Sequence, residues 1–178
     1  MIFEEKRKES ERIYEGAILN VRRDKVTAVK GEAYREIIEH NGAVAMVPVT
    51  DEGNVVMVRQ YRYACGRPVL EIPAGKIDIG EKPDSAARRE LKEETGYEAE
   101  EFIRLGSINP SVAYSEEVIH IYAALGLRAG EQSLDEDEAV DVVEYPFREI
   151  YDMAAEGKLV DAKTIAGLMM AAKQLSVK

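Results

Sequence analysis

The sequence is short of what would mark a secreted, membrane-spanning or nucleic-acid-binding chain. It has one cysteine, Cys65, so no internal disulfide can form, and this residue reads as an ordinary apolar side chain in a reducing cytoplasm. No run of 18 apolar residues is available to cross a bilayer as a helix, and the start, MIFEEKRKES, has no apolar stretch of signal-peptide length. Basic residues are scarce as well: 24 Lys and Arg against 34 Asp and Glu leave a net charge of −10. That balance argues against nucleic acid and anionic membrane as partners, since both need a basic surface. Repeats, low-complexity segments and βαβ alternation are all missing. The expectation is a soluble, cytoplasmic chain whose 178 residues, 46% of them hydrophobic, suffice for one well-buried domain and a small appendage.

Residues from about Gly16 to His40 alternate as paired strands, AILNVRRDKVTAV and AYREIIEH, around a turn at Lys30-Gly31-Glu32. They are too polar to form a core alone, so residues 1–40 read as a small N-terminal antiparallel β subdomain. From Gly42 the apolar density rises. GAVAMVPV and VVMVRQYRY flank a turn at Asp51–Asn54 and predict a hairpin of strands buried on both faces, the centre of a main domain over 41–178. A short strand, VLEIP, leads into Ala74; further strands are expected at Phe102–Ile108, Val118–Leu125 and VDVVEYPF. Helices are expected over Arg148–Glu156 and Asp161–Leu175, with Asp161 as N-cap. The class is α+β, a mixed sheet between helices.

The chain is organised around Gly75–Tyr97, GKIDIGEKPDSAARRELKEETGY. Pro83 suits a first helical position and Gly96 a left-handed stop, which predicts a helix from about Pro83 to Thr95. Glu90, Glu93 and Glu94 then share one face, within an arc of about 100 degrees. Like charges at this spacing repel, and acids near a helix C-terminus oppose the macrodipole. Glu90 and Glu94 also flank the Ala87/Leu91 apolar stripe, which draws both carboxylates toward the core. A Glu-rich helix is ordinarily a solvated face; this one is placed where a hard divalent cation would resolve the conflict.

With its flanks the stretch fits the pattern G-x5-E-x7-R-E-U-x-E-E-x-G-U at every fixed position: Gly75, Glu81, Arg89, Glu90, Leu91, Glu93, Glu94, Gly96 and Tyr97. It resembles the signature box of the Nudix hydrolases. The resemblance implies an α/β/α sandwich and cleavage of the pyrophosphate in a nucleoside diphosphate linked to another group. It further implies that Glu90, Glu94 and the Ala74 carbonyl ligate Mg²⁺, with Mn²⁺ as the alternative, and that Arg89 pairs with Glu93.

The wider frame is similar to the ADP-ribose pyrophosphatase branch: QYR before the box, EIPAG into it, then NPS, Ser115-Glu116-Glu117 and LDEDEAVDV after it. In that branch the late acidic loop, here Asp135–Glu138, supplies a general base at Glu136 and a metal ligand at Glu138, Glu93 being the other candidate for the base. A carboxylate there could take a proton from the attacking water. The resemblance places Arg35, Glu36, Arg62, Lys76 and Glu117 against the substrate, and arginine suits phosphate because its planar fork binds two oxygens at once. It also implies a homodimer through the N-terminal subdomain. The chain departs from the branch after the box, where Asn109-Pro110-Ser111 lacks the usual glycine and Val112-Ala113-Tyr114 lengthen the spacer. ADP-ribose is therefore expected as substrate with GDP-mannose or another nucleoside diphosphate sugar as the rival, and an idle nucleotide-binding sensor as the alternative of a different class.

Overall fold

In the computed structural model, residues 2–134, 136 and 138–176 are described; Asp135 and Asp137 of the acidic loop lie outside them. Contacts divide the chain into two units: the residues up to Gly42 with Asn109–Val118, and Ala43–Ile108 with the residues from Ile119 onward.

The first unit is an antiparallel sheet of β1 (Arg7–Glu15), β2 (Asn20–Ala28) and β3 (Gly31–Glu39), in that order. The strands expected from the sequence begin only at about Gly16, so Arg7–Glu15 is an addition. It is a strand because its charges find opposite partners across the ladder: Glu11 accepts from Arg23 at 2.8 Å and Arg12 meets Glu39 at 2.6 Å. The loop Asn109–Val118 belongs to this unit rather than to the main domain, because Ile38 N–H donates to Tyr114 O (2.7 Å) and Glu116 N–H to Ile38 O (3.0 Å). Arg22 joins it to the sheet, donating to Glu116, Asp24 and Glu39.

The second unit holds two sheets. One runs β7 (Ala74–Lys76), β4 (Ala43–Pro48), β9 (Ile119–Arg128), β8 (Glu98–Ile108), with β4 and β9 parallel and the other pairs antiparallel. The other runs β10 (Val140–Pro146), β5 (Asn54–Arg62), β6 (Arg67–Glu71). The expected β4–β5 hairpin is therefore incorrect: among the described residues the two runs share no ladder beyond the isolated bridge Val49–Val55. Each is apolar on both faces, so each is satisfied only as the central strand of its own sheet.

Alternation along β4 explains the layers. Val44 and Met46 face helix α1 (Pro83–Thr95) with Ala86, Ala87 and Leu91, while Ala43, Ala45 and Val47 face Leu168 and Ala171 of α3 (Ala162–Gln174) and Ile150 of α2 (Phe147–Ala155). This is the expected α+β sandwich with a mixed sheet. Asp161 caps α3 as expected, accepting from Thr164 N–H at 3.0 Å. No helix among the described residues is long and apolar enough to cross a membrane.

Candidate active site

Helix α1 begins and ends where its punctuation predicts, with Pro83 in its first turn and Gly96 left-handed at φ 74°. Its acidic face divides by burial. The Glu94 side chain is buried, that of Glu90 is 14% exposed, and that of Glu93 is 39% exposed. Glu94 Oε2 accepts from Ala74 N–H at 2.8 Å, which fixes the buried carboxylate against the end of the strand that enters the loop. Gly75 leaves room for the Glu90 carboxylate: a Cβ on it would lie 1.9 Å from the Glu90 carboxyl carbon and displace that side chain.

Arg89 organises the outer edge. It donates to Glu93 Oε2 at 2.9 Å, the expected partner, and also to Glu90 Oε1 at 2.7 Å, to Glu81 Oε2 at 2.9 Å and to the Lys76 carbonyl at 3.0 Å. The Glu81 pairing, with those to Glu90 and Glu93, raises the pKa of Arg89 further. Glu81 is thus the residue that anchors Arg89, a role the sequence reading did not give it, although the motif contains it.

Arg89 compensates the face only in part. Burial pushes the Glu94 carboxyl up to about 8, and repulsion from Glu90 and Glu138 adds to the shift. Burial likewise raises Glu90, Arg89 opposing, with Glu93 and Glu138 adding to the rise. Glu138 therefore lies within electrostatic reach of both carboxylates, as a shared ligand set would need. Glu136 is exposed in the same loop. Among the described residues no three acidic, His or Cys side chains already stand close enough together to chelate a metal. The donor set nevertheless fits a hard divalent cation: it is all oxygen, its carboxylates repel one another, and it runs from the buried Glu94 through the half-buried Glu90 to the exposed Glu138.

The proposed substrate residues fall in both units. In the second, Lys76 is exposed, and Arg62 lies with its Nε and Nη2 on Glu71 at 2.7 and 2.8 Å. In the first, Arg35 has its fork on Glu5 and Nη1 on the Tyr34 carbonyl, Glu36 is exposed on β3, and Glu117 lies 4.0 Å from His40 Nε2. Glu71, the buried partner of Arg62 and of Lys163, is not among the residues to which the sequence points. The available signal was a lone charge inside the apolar run VLEIP.

Known proteins match this chain over most of its length. The NUDIX domain family model matches residues 39–168. A methanol dehydrogenase activator from Bacillus methanolicus is 40% identical over 180 residues, covering 99% of this chain and 97% of its own. An ADP-ribose pyrophosphatase from Bacillus subtilis is 38% identical over 164 residues, covering 90% of this chain and 89% of its own. The crystal structure of an ADP compounds hydrolase has a TM-score of 0.86 at 23% identity, covering 99% of this chain and 96% of that one, a likeness of fold.

Proposed function

The chain belongs to the Nudix hydrolase family, and from that membership we infer that it hydrolyses the pyrophosphate bond of nucleoside diphosphate sugars, ADP-ribose above all, to AMP and ribose 5-phosphate. The observation that carries this is the group of mutually repelling carboxylates on one helix face, buried Glu94 and half-buried Glu90, with Glu138 in reach. Glu90, Glu94, Glu138 and the Ala74 carbonyl would hold Mg²⁺. When bound, the cation neutralises the charge that develops on the diphosphate oxygens. Arg89 keeps Glu90 and Glu93 directed along the helix face. Glu136, exposed on the acidic loop, takes the proton of the attacking water, whose oxygen joins one phosphorus as the P–O–P bridge breaks. Arg62 and Lys76 meet the diphosphate, and Arg35, Glu36 and Glu117 the remainder of the substrate. The protein acts as a homodimer through its N-terminal sheet.

The test is release of AMP and ribose 5-phosphate from ADP-ribose with Mg²⁺, run beside GDP-mannose and other nucleoside diphosphate sugars. Equal or faster turnover of GDP-mannose would reassign the substrate. Glu136→Gln should lower kcat by about 10²–10⁴-fold with little change in KM. A wild-type kcat for that variant would move the base to Glu93.

The likeness to an activator, which spans nearly all of both chains, favours a second reading in which the protein also modulates a dehydrogenase. Adding the purified chain to a methanol dehydrogenase and measuring its turnover tests this, with Glu94→Gln showing whether hydrolysis is needed.

A further inference from the structure

Beyond the metal-facing helix, the second unit contains an ionic cluster around Arg62 whose inner members, Glu71 and Lys163, have no part in the reaction outlined above. Glu71 ends β6 between the buried Val69 and Ile72, and its side chain is only 3% exposed. One carboxylate here serves two cations. Oε1 accepts from Arg62 Nε at 2.7 Å, while Oε2 accepts from Arg62 Nη2 at 2.8 Å and from Lys163 Nζ at 2.5 Å. With Asp161, 3.1 Å from Lys163 Nζ, the cluster sets two cations against two carboxylates, so Lys163 supplies the charge that balances the second carboxylate beside Arg62.

Lys163 is itself held on both sides. It meets Asp161 at 3.1 Å, and Asp161 is fixed by Thr164, whose hydroxyl accepts from Ile72 N–H at 2.9 Å. Two residues beyond Ile72, Ala74 N–H holds Glu94. The start of α3 is thus tied by hydrogen bonds to the strand that leads into the metal-facing loop. Arg62 differs from Lys163 in exposure, 42% against 11%, so the outward-facing member of the cluster is the arginine. Glu71 occupies the Nε–Nη2 edge of its fork, which leaves the Nη1 edge directed away from that carboxylate, suited to a phosphate oxygen.

We propose that Lys163 is a positioning residue for substrate: by balancing Glu71 and Asp161 and holding the Glu71 carboxylate, it keeps the Arg62 guanidinium oriented and free of surplus negative charge, ready to bind the diphosphate. This rests on Arg62 meeting the diphosphate, as inferred above. Without Lys163, Arg62 is left beside two carboxylates, Glu71 and Asp161, and its affinity for an anion falls.

The experiment is calorimetric titration of ADP-ribose into the full chain with divalent cations removed, so that binding is read without turnover. Lys163→Met should weaken Kd about tenfold, and Lys163→Arg should stay within about threefold of wild type. In an Arg62→Met background, Lys163→Met should cost nothing further. If Lys163→Met does not fold, Lys163→Gln, which keeps a donor for Glu71 but not the charge, should show the same loss. In the presence of Mg²⁺ the loss should appear in KM with kcat nearly unchanged. An unaltered Kd in the folded Lys163 variant, or an equal loss in the Arg62→Met background, would overturn the positioning role. Wild-type protein that binds ADP-ribose but does not hydrolyse it with Mg²⁺ would sink the reaction and leave the positioning role to stand or fall on these affinities. Wild-type protein that does not bind it at all would overturn both.

Discussion

At the scale of single residues, the site is defined by what it leaves unbalanced. Glu94 is 4% exposed, with its carboxyl raised to about 8 by burial first and by Glu90 and Glu138 next. A carboxyl raised above its unfolded value contributes stability that is complete below about pH 4.5 and is lost as pH rises through about 8, a change on the order of a few kcal/mol. Glu90 is shifted in the same direction and adds to it. Metal-free protein should therefore melt at a lower temperature at pH 9 than at pH 6, while Glu94→Gln should show a much flatter profile. Mg²⁺ at pH 9 should raise the melting temperature of the wild type and scarcely move that of the variant. Parallel profiles in differential scanning calorimetry would mean that Glu94 is not the buried charge a cation compensates. Gly75 supports a second prediction. Its added Cβ would meet only the end of the flexible Glu90 side chain, so Gly75→Ala should fold nearly normally, with stability changed by about 0.5 kcal/mol. The displaced carboxylate, however, should raise the Mg²⁺ concentration for half-maximal rate by about 10–100-fold. A normal Mg²⁺ requirement would show that Glu90 can serve from another rotamer.

At the scale of elements, legibility followed the range of the interactions. Helix α1 could be read to its ends because Pro83, the acidic face and Gly96 all act within one or two turns. Strand β1 could not: its nine residues are all exposed and have no apolar face, and its strand state comes from charges on β2 and β3 that are distant in sequence. The β4–β5 error has the same origin, since two apolar runs joined by a tight turn imply a hairpin until the competing partners β7, β9, β6 and β10 are known. Glu71 and Lys163, 92 residues apart, were likewise invisible as a pair. The acidic loop shows what such long-range ties can do. Ser133 N–H donates to the Glu93 carbonyl at 3.0 Å and the Gln132 side chain to the Glu94 carbonyl at 2.5 Å, filling acceptor positions that the end of α1 leaves open. The loop bearing Glu138 is therefore anchored on the helix bearing Glu90 and Glu94. Gln132→Ala should cost about 1 kcal/mol of stability and raise the Mg²⁺ requirement, because Glu138 is then less firmly registered. A loss of stability in chemical denaturation with no change in Mg²⁺ dependence would reduce Gln132 to a helix cap.

At the scale of the whole molecule, assembly has to overcome charge. Each chain carries −10, so two chains repel, and that repulsion is largely screened beyond about 8 Å at physiological ionic strength. The N-terminal unit nonetheless exposes Ile13, Tyr14, Ile18 and Tyr34, with Ile18 at 73%. Its edge strand β1 lies open along its whole length. Edge strands of that length invite pairing unless charge discourages it, and Lys8, Glu9, Glu11 and Arg12 supply that charge on β1. Dimerisation should therefore use the apolar residues rather than continue the sheet from edge to edge. Light scattering at micromolar concentration should give twice the chain mass, and the dimer should tighten as salt rises from about 10 mM to 150 mM, because screening removes repulsion without weakening apolar burial. Ile18→Glu and Tyr34→Glu, both at exposed positions, should shift the equilibrium to monomer without lowering monomer stability. A dimer that loosens with salt would instead mean an interface held by ion pairs, and a monomer at every salt concentration would remove the N-terminal sheet as an assembly surface.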